Sequence, residues 1–107
     1  MPKQSYYKVQ IEKSGYYQSI LQLRPCTEEI FNFVLNQIKK NKITIGKKVE
    51  LKNGLDLYLS SNKLTLALGK KLKKSFRGSL KISKKLFTKD RLTGKRVYRV
   101  TVCFRLT

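Results

Sequence analysis

A strict alternation of side chains over residues 98–106 constrains the fold of this chain more than any other feature. Apolar or aromatic residues stand at every second position there, namely Tyr98, Val100, Val102, Phe104 and Leu106. Successive side chains of a strand point to opposite faces, so this pattern predicts a strand with one buried and one wet face. The buried face needs a second layer to cover it, which the rest of the chain has to provide.

Two segments have the apolar spacing of amphipathic helices that can form this layer. The first is predicted to follow Thr27 as its N-cap, and its apolar face consists of Ile30, Phe31, Val34, Leu35 and Ile38. The second is predicted from about Ser61 to Ser75, and its apolar arc consists of Leu64, Leu68, Leu72 and Phe76. Gly69 lies inside the second helix, where a glycine costs roughly 1 kcal/mol relative to alanine.

The segments before the first helix and after the second predict paired strands. Residues 7–12 alternate, and a turn at Gly15 leads into a returning strand over residues 16–24. After the second helix, the strand over residues 98–106 is preceded by an arm that is marked by Leu80, Ile82 and Leu86. Each pair is therefore predicted to form an antiparallel hairpin.

A third hairpin is predicted between the two helices, with arms at residues 43–51 and 55–60. The apolar side chains of its two arms determine how the arms pair, because a shift of one residue would turn every side chain of an arm to the opposite face. A three-residue loop pairs Leu51 with Leu55 on one face. We therefore predict this loop, with Gly54 in the left-handed conformation.

These elements predict a fold of the α+β class. Their order is ββαββαββ, and two helices on one face of a mostly antiparallel sheet form a two-layer structure. A chain of 107 residues is served by one hydrophobic core, so residues 1–107 are predicted to form a single domain.

The charge of the chain indicates a polyanionic partner. Twenty-five Lys and Arg face six Asp and Glu, which gives a formal net charge of +19. Such a field attracts polyanions over long distances and repels further copies of the protein, so we expect a monomer. A nucleic acid, an anionic membrane and an acidic protein all fit, and an excess of lysine that only serves solubility is the fourth explanation. Nucleic acid suits the aromatic content and the fold best.

The side chains that enzymes and metal sites need are scarce. The chain has no His, and its two cysteines, Cys26 and Cys103, form no Cys-x-x-Cys motif. A structural zinc site takes four N or S ligands, and a Ser or Cys nucleophile commonly needs a His base. We therefore predict no catalytic residue, no metal, no cofactor and no small-molecule substrate.

The hydropathy of the chain points to the cytoplasm. No run approaches the roughly 18 apolar residues of a membrane span, and the first residues lack the apolar stretch of a secretory signal. We expect a cytoplasmic protein without membrane contact.

Basic residues are concentrated in the second half of the chain. Residues 63–99 contain fourteen Lys or Arg and one acid, Asp90. A row of cations along the second helix can follow a phosphate backbone, whereas a helix face that is only solvated usually mixes Glu with Lys. The predicted nucleic-acid-binding residues are Lys63, Lys70, Lys73, Lys74, Arg77, Lys81, Lys85, Lys89, Arg91, Lys95, Arg96, Arg99 and Arg105.

The open face of the sheet is a second candidate surface. Tyr and Arg side chains there can stack on unpaired bases, although a wet face or a seat for another domain explains the pattern equally well. The tyrosine pairs Tyr6-Tyr7 and Tyr16-Tyr17 are each predicted to place one ring in the core and one outside. The predicted residues of the open face are Lys8, Gln18, Gln22, Arg24, Tyr58, Lys81, Lys85, Arg99 and Arg105.

Three segments of the chain follow the pattern of a known family. Residues 17–24 read YQSILQLR, residues 53–58 read NGLDLY, and residues 85–102 read KLFTKDRLTGKRVYRVTV. In this order, over roughly residues 15–106, they resemble the nonsense-mediated-decay-three proteins, which are adaptors for nuclear export of the large ribosomal subunit. The last block is the most specific and is similar to a hairpin of the archaeal members.

The resemblance implies a module from the central, ribosomal-protein-like part of that family. It implies a protein that binds ribosomal RNA or the large subunit, with ribosomal proteins as further contacts, during subunit biogenesis or quality control. The family's N-terminal zinc region carries Cys-x-x-Cys motifs that this sequence lacks, so contacts of that region are not carried over. From the residues alone, a nonspecific DNA-coating or architectural protein and a docking module for an acidic partner stay open as alternatives.

Overall fold

The computed structural model describes residues 11, 13, 15–89, 92, 94 and 96–107. The elements in chain order are β1 (Ser19–Arg24), α1 (Glu28–Lys40), β2 (Ile45–Leu51), β3 (Gly54–Leu59), α2 (Asn62–Ser75), β4 (Gly78–Lys89) and β5 (Arg96–Leu106). From β1 onward this is the predicted order. The first predicted strand, over residues 7–12, lies outside the described residues except for Ile11, which forms an isolated parallel bridge with Ile45.

The five strands form one sheet in the order β2-β3-β1-β5-β4. The pairs β1–β3, β2–β3 and β4–β5 are antiparallel, as predicted for most of the sheet. β1 and β5 run parallel, with Ser19 beside Val100 and Leu23 beside Phe104. This parallel pair is not predictable from local sequence, because strands so far apart in the chain are not joined by a tight turn.

The core lies between the helices and one face of the sheet, which confirms the predicted two-layer α+β class. Alternate residues of the three central strands point into it and are buried, namely Leu21, Leu23, Leu55, Leu57, Leu59, Val100, Val102 and Phe104. They form a single cluster with buried helix residues, namely Ile30, Phe31, Val34, Ile38, Leu68 and Leu72. The opposite side of the sheet is called the open face below.

Side-chain caps begin both helices and fix the start of α2. The Thr27 hydroxyl accepts from the Ile30 backbone N–H at 3.2 Å, which confirms the predicted cap, and Ser61 does the same for the Leu64 N–H at 3.2 Å. The Thr65 hydroxyl lies 2.6 Å from that of Ser19 in β1, and neither residue is exposed to solvent. This buried contact ties the first turn of α2 to the central strand and so determines which side of α2 points outward.

Gly69 allows α2 to pack closely on the sheet. A Cβ at this position would lie 2.6 Å from Val102 Cγ1 and 3.2 Å from Leu80 Cδ1. Real Cβ atoms do not approach carbon atoms to the first of these distances, so α2 could not hold its present position with a side chain there. The glycine that weakens the helix locally is therefore required by packing.

Replacing Gly69 with valine is expected to lower the free energy of unfolding by about 3 kcal/mol, at the upper end of the usual range for overpacking. Urea denaturation measures the change. Ala67→Val introduces the same side chain at an exposed position of α2 and should lose only about 0.5 kcal/mol through helix propensity. Equal losses for the two variants would contradict the packing role of Gly69.

The loop of the β2–β3 hairpin differs from the prediction. Leu51 pairs with Gly54 and Val49 with Asp56, so the loop consists of two residues and the predicted three-residue loop is wrong. Gly54 does not have the left-handed conformation. The prediction paired Leu51 with Leu55 to keep apolar residues on one face, whereas in the structure Asp56 shares a face with Val49 and Leu51.

A contact from another strand makes this register possible. Arg24 of β1 places its Nη2 atom 2.7 Å from the Asp56 carboxylate on the open face, so the charge of Asp56 is neutralised there. A Cβ on Gly54 would collide with the Leu23 carbonyl oxygen. Glycine is therefore needed for the approach of β1 and not for the turn.

Candidate nucleic-acid interface

The outer side of α2 carries a row of exposed lysines. Thr65, Leu68, Gly69 and Leu72 are buried on the inner side of the helix. The opposite side presents the residues called here the α2 lysine face, namely Lys63, Lys70, Lys73 and Lys74. The apolar and basic sides of α2 are separate, as the sequence pattern predicts. Leu66, which falls among the lysines at 100° per residue, is half-buried and packs against the core.

No carboxylate of the described residues neutralises the α2 lysine face. Asp56 is paired with Arg24, and Glu50 lies 2.8 Å from Lys48 Nζ. Glu28 and Glu29 occupy the first turn of α1, where their negative charge interacts favourably with the positive end of the helix dipole. The α2 lysine face therefore presents its positive charge to the solvent.

Two neighbouring basic residues have different surroundings. The Lys71 ammonium donates to Gln37 Oε1 of α1 at 3.0 Å, so it belongs to the contact between the helices. Arg77 is exposed in the connection between α2 and β4, where its carbonyl oxygen accepts from the Thr107 N–H at 3.1 Å. Arg77 thus extends the basic surface just past the end of α2.

Four of the other predicted residues lie on the opposite side of the sheet, namely Lys81, Lys85, Arg99 and Arg105. Arg99 and Arg105 alternate with the buried Val100 and Phe104, and Lys85 and Ser79 pair with them from β4. Lys81 pairs with Cys103 on the same open face. The structure therefore separates the predicted set into two surfaces, the α2 lysine face and the open face, with the sheet between them.

The tip of the long hairpin is described only in part. Lys89 and Arg96 form the last backbone pair of β4 and β5. The predicted residues Arg91 and Lys95 lie outside the described residues, and so does Lys8 of the predicted open face.

Tyrosine and basic side chains form a connected row across the open face. The Tyr17 and Tyr58 rings meet edge to face with centroids 4.8 Å apart. The Arg99 guanidinium carbon lies 4.2 Å from the centroid of the Tyr17 ring, and Lys47 Nζ lies 5.3 Å from that of Tyr58. Arg99 Nη1 also donates to the Tyr17 hydroxyl at 3.0 Å. We call Lys47, Tyr58, Tyr17 and Arg99 the tyrosine–arginine row.

Sequence reasoning identified only part of this row. Tyr58 and Arg99 were predicted on the open face, whereas Tyr16 and Tyr17 were predicted to place one ring in the core. That prediction is wrong, because Tyr16 is 54% exposed and the Tyr17 ring lies against Tyr58 and Arg99. Tyr17 precedes the first paired residue of β1, so the alternation of the strand does not govern it. The other predicted pair, Tyr6-Tyr7, lies outside the described residues.

Arg24 is held within the protein and is not presented to a ligand. Besides its ion pair with Asp56, its Nη1 atom donates to the Leu23 carbonyl oxygen at 3.1 Å. Both partners of the pair are mostly buried, with side-chain exposures of 17% and 13%. Arg24 therefore stabilises the register of β1 and β3 on the open face.

A cavity of about 490 Å³ lies beside the end of α1. Apolar side chains such as Leu35 and Ile43 line it, and Lys13, Lys39 and Lys42 contribute to its rim. Its described walls contain no carboxylate or thiol that could serve as an acid or base. Elsewhere in the described part of the chain, no three His, Cys, Asp or Glu side chains come close enough together to hold a metal ion.

The described helices are all too short or too polar to cross a membrane. In a comparison with protein families, residues 16–106 match the family model described as NMD3, second domain. No curated protein matches the chain. The matched residues include the α2 lysine face, the tyrosine–arginine row and both strands of the long hairpin.

Proposed function

The chain belongs to the NMD3 family, and from that premise we propose that it binds ribosomal RNA of the large subunit through the α2 lysine face. The family is associated with the large ribosomal subunit and its biogenesis, as the resemblance of the three sequence segments predicted. The proposed role is that of a cytoplasmic binding module in subunit biogenesis or quality control, with ribosomal proteins as further contacts.

The observation that supports RNA binding is the unneutralised charge of the α2 lysine face. Lys70, Lys73 and Lys74 are spaced so that they share one side of the helix within about one turn of 5.4 Å, and Lys63 continues the row roughly two turns earlier. Cations at this spacing can follow a phosphate backbone and release its condensed counterions. Without such a partner, the lysines repel one another across the helix surface.

We propose binding without catalysis. The sequence has no His, and the described carboxylates either form ion pairs or lie at the start of α1. A general acid or base needs a titratable group that can reach a substrate. The groups that reach outward from α2 are lysine side chains, which bind phosphates as point charges.

Sedimentation with purified large ribosomal subunits tests this function. We expect cosedimentation at low salt, with the logarithm of the binding constant falling linearly against the logarithm of salt concentration. If each of the four lysines of the α2 lysine face contacts one phosphate of a double helix, the slope is about −3.6. Binding that does not change with salt, or no binding at low salt, would contradict the proposal.

A competition experiment separates ribosomal RNA from duplex DNA. The α2 lysine face offers only point charges, and charge alone supports nonspecific binding to DNA. At physiological salt we expect a folded fragment of large-subunit RNA to displace the protein from duplex DNA. Equal affinity for the two nucleic acids would favour an architectural DNA-binding protein instead.

A further inference from the structure

The two surfaces present different chemistry. The α2 lysine face offers ammonium groups, which bind phosphates as point charges and do not distinguish a paired from an unpaired strand. The open face adds aromatic rings and a guanidinium, and its alternating positions also carry Gln22, Ser83 and Thr101. Rings and guanidinium planes stack on bases, and amides and hydroxyls bond to base edges.

Contacts within the protein hold the tyrosine–arginine row together. The hydrogen bond from Arg99 to the Tyr17 hydroxyl holds the guanidinium over the Tyr17 ring, and Tyr58 supports that ring from the other side. The row side chains other than Lys47 are half-buried, which restricts their motion and leaves part of each accessible. Preassembled planar groups lose little conformational entropy when a base stacks on them.

Cations stand at both ends of this row. Lys47 lies over Tyr58 on the β2 side, and on the β4 side Lys85 is the direct cross-strand partner of Arg99. Lys81 lies on the same face four residues earlier in β4. The one carboxylate of this face in the described strands, Asp56, is already paired with Arg24. A nucleic-acid strand that lies across the sheet along the tyrosine–arginine row would contact aromatic rings in the middle and positive charges at both ends.

We infer that the open face binds an unpaired segment of RNA, with bases stacked on Tyr58 and Arg99 and phosphates near Lys47 and Lys85. This inference rests on the proposed function, because it names the form of RNA that a second surface takes. A double helix hides its base faces and fits the α2 lysine face, where only phosphates are contacted. Since the sheet separates the two surfaces, paired and unpaired parts of one RNA can be bound together.

The test compares three probes of the same length: a single-stranded RNA, its duplex, and a strand in which abasic sites replace the bases. Tyr58→Ala removes a ring, and Tyr58→Phe is the matched control that keeps it. Arg99→Lys keeps the charge and removes the plane. We expect Tyr58→Ala and Arg99→Lys to weaken single-strand binding about 10- to 100-fold, with duplex affinity changed less than about twofold.

The controls distinguish stacking from charge and from folding. Wild-type protein should bind the single strand more tightly than the abasic strand, and Tyr58→Phe should bind as the wild type does. Thermal melting confirms that each variant is folded, and Arg99→Lys, which removes no ring, serves as the second variant should Tyr58→Ala be unfolded. If folded variants bind the single strand as tightly as wild type, or if abasic and normal strands bind equally, the inference is overturned. Failure of wild-type protein to bind any RNA or large subunit would overturn the proposed function as well.

Discussion

Replacing Lys70, Lys73 and Lys74 together with glutamate is expected to reduce affinity for large ribosomal subunits by at least about 100-fold at physiological salt. Each replacement removes a cation from the α2 lysine face and places a charge beside the phosphates that repels them. The three side chains are exposed and form no ion pair with any described carboxylate, so their loss removes no stabilising contact of that kind. Sedimentation with purified subunits measures the loss, and the slope of the salt dependence should become less steep.

A matched variant separates the position of the charge from its amount. Lys39→Glu, Lys40→Glu and Lys52→Glu together change the net charge by the same amount at exposed positions outside α2. Both triple variants replace two lysines in the last turn of a helix, so both lose a similar interaction with the helix dipole. We expect the control to retain binding within about tenfold and both variants to melt cooperatively. Equal losses of binding would show that net charge, and not the α2 lysine face, determines affinity.

Replacing Phe104 with alanine is expected to lower the free energy of unfolding by about 3–5 kcal/mol, which is the usual range for a buried aromatic residue. Phe104 is fully buried in β5, between Leu23 of β1 and Leu80 of β4. Its ring also covers Gly78, where a Cβ would lie 2.7 Å from the ring atom Cζ. The cavity therefore opens between three strands that cannot collapse without losing their register.

Guanidinium denaturation measures this change, and Ile82→Ala is the control. Ile82 lies on the same face of the sheet in the neighbouring strand β4, but it is 45% exposed and should lose about 1 kcal/mol. Domains of this kind are stable by only about 5–15 kcal/mol, so Phe104→Ala removes a large share of the total. A loss no greater than that of the Ile82→Ala control would contradict the central position of the ring.

The parts of the fold that local signals encode could be predicted from the sequence. Thr27 caps α1 as predicted, and Ser61 caps α2 at its predicted start, because a cap depends on residues within one turn. The strand with Val102 at its centre was predicted because alternation is a property of the strand itself. For the same reason the α2 lysine face could be listed residue by residue, since one helix carries all of it.

The wrong predictions concern contacts between residues that are far apart in the sequence. The register of the β2–β3 hairpin depends on Arg24 of β1, which neutralises Asp56 and makes an acidic position on that face acceptable. The tyrosine–arginine row draws Tyr17, Tyr58 and Arg99 from three separate parts of the chain. No local sequence pattern predicts such contacts. They depend on the order of the strands in the sheet, which includes the unpredicted parallel pair of β1 and β5.

The position of β5 has a consequence for synthesis of the protein. β5 pairs with β1 on one side and β4 on the other, so β1 and β4 never touch as neighbours in the sheet. During translation, β1 through β4 therefore emerge with a hydrogen-bonding edge of β1 unpaired and part of the apolar layer uncovered. Such an edge attracts strands of other nascent chains, and contacts between distant segments form slowly. β5 is the last strand of this sheet in chain order, so the sheet closes only once the segment through Leu106 has left the ribosome.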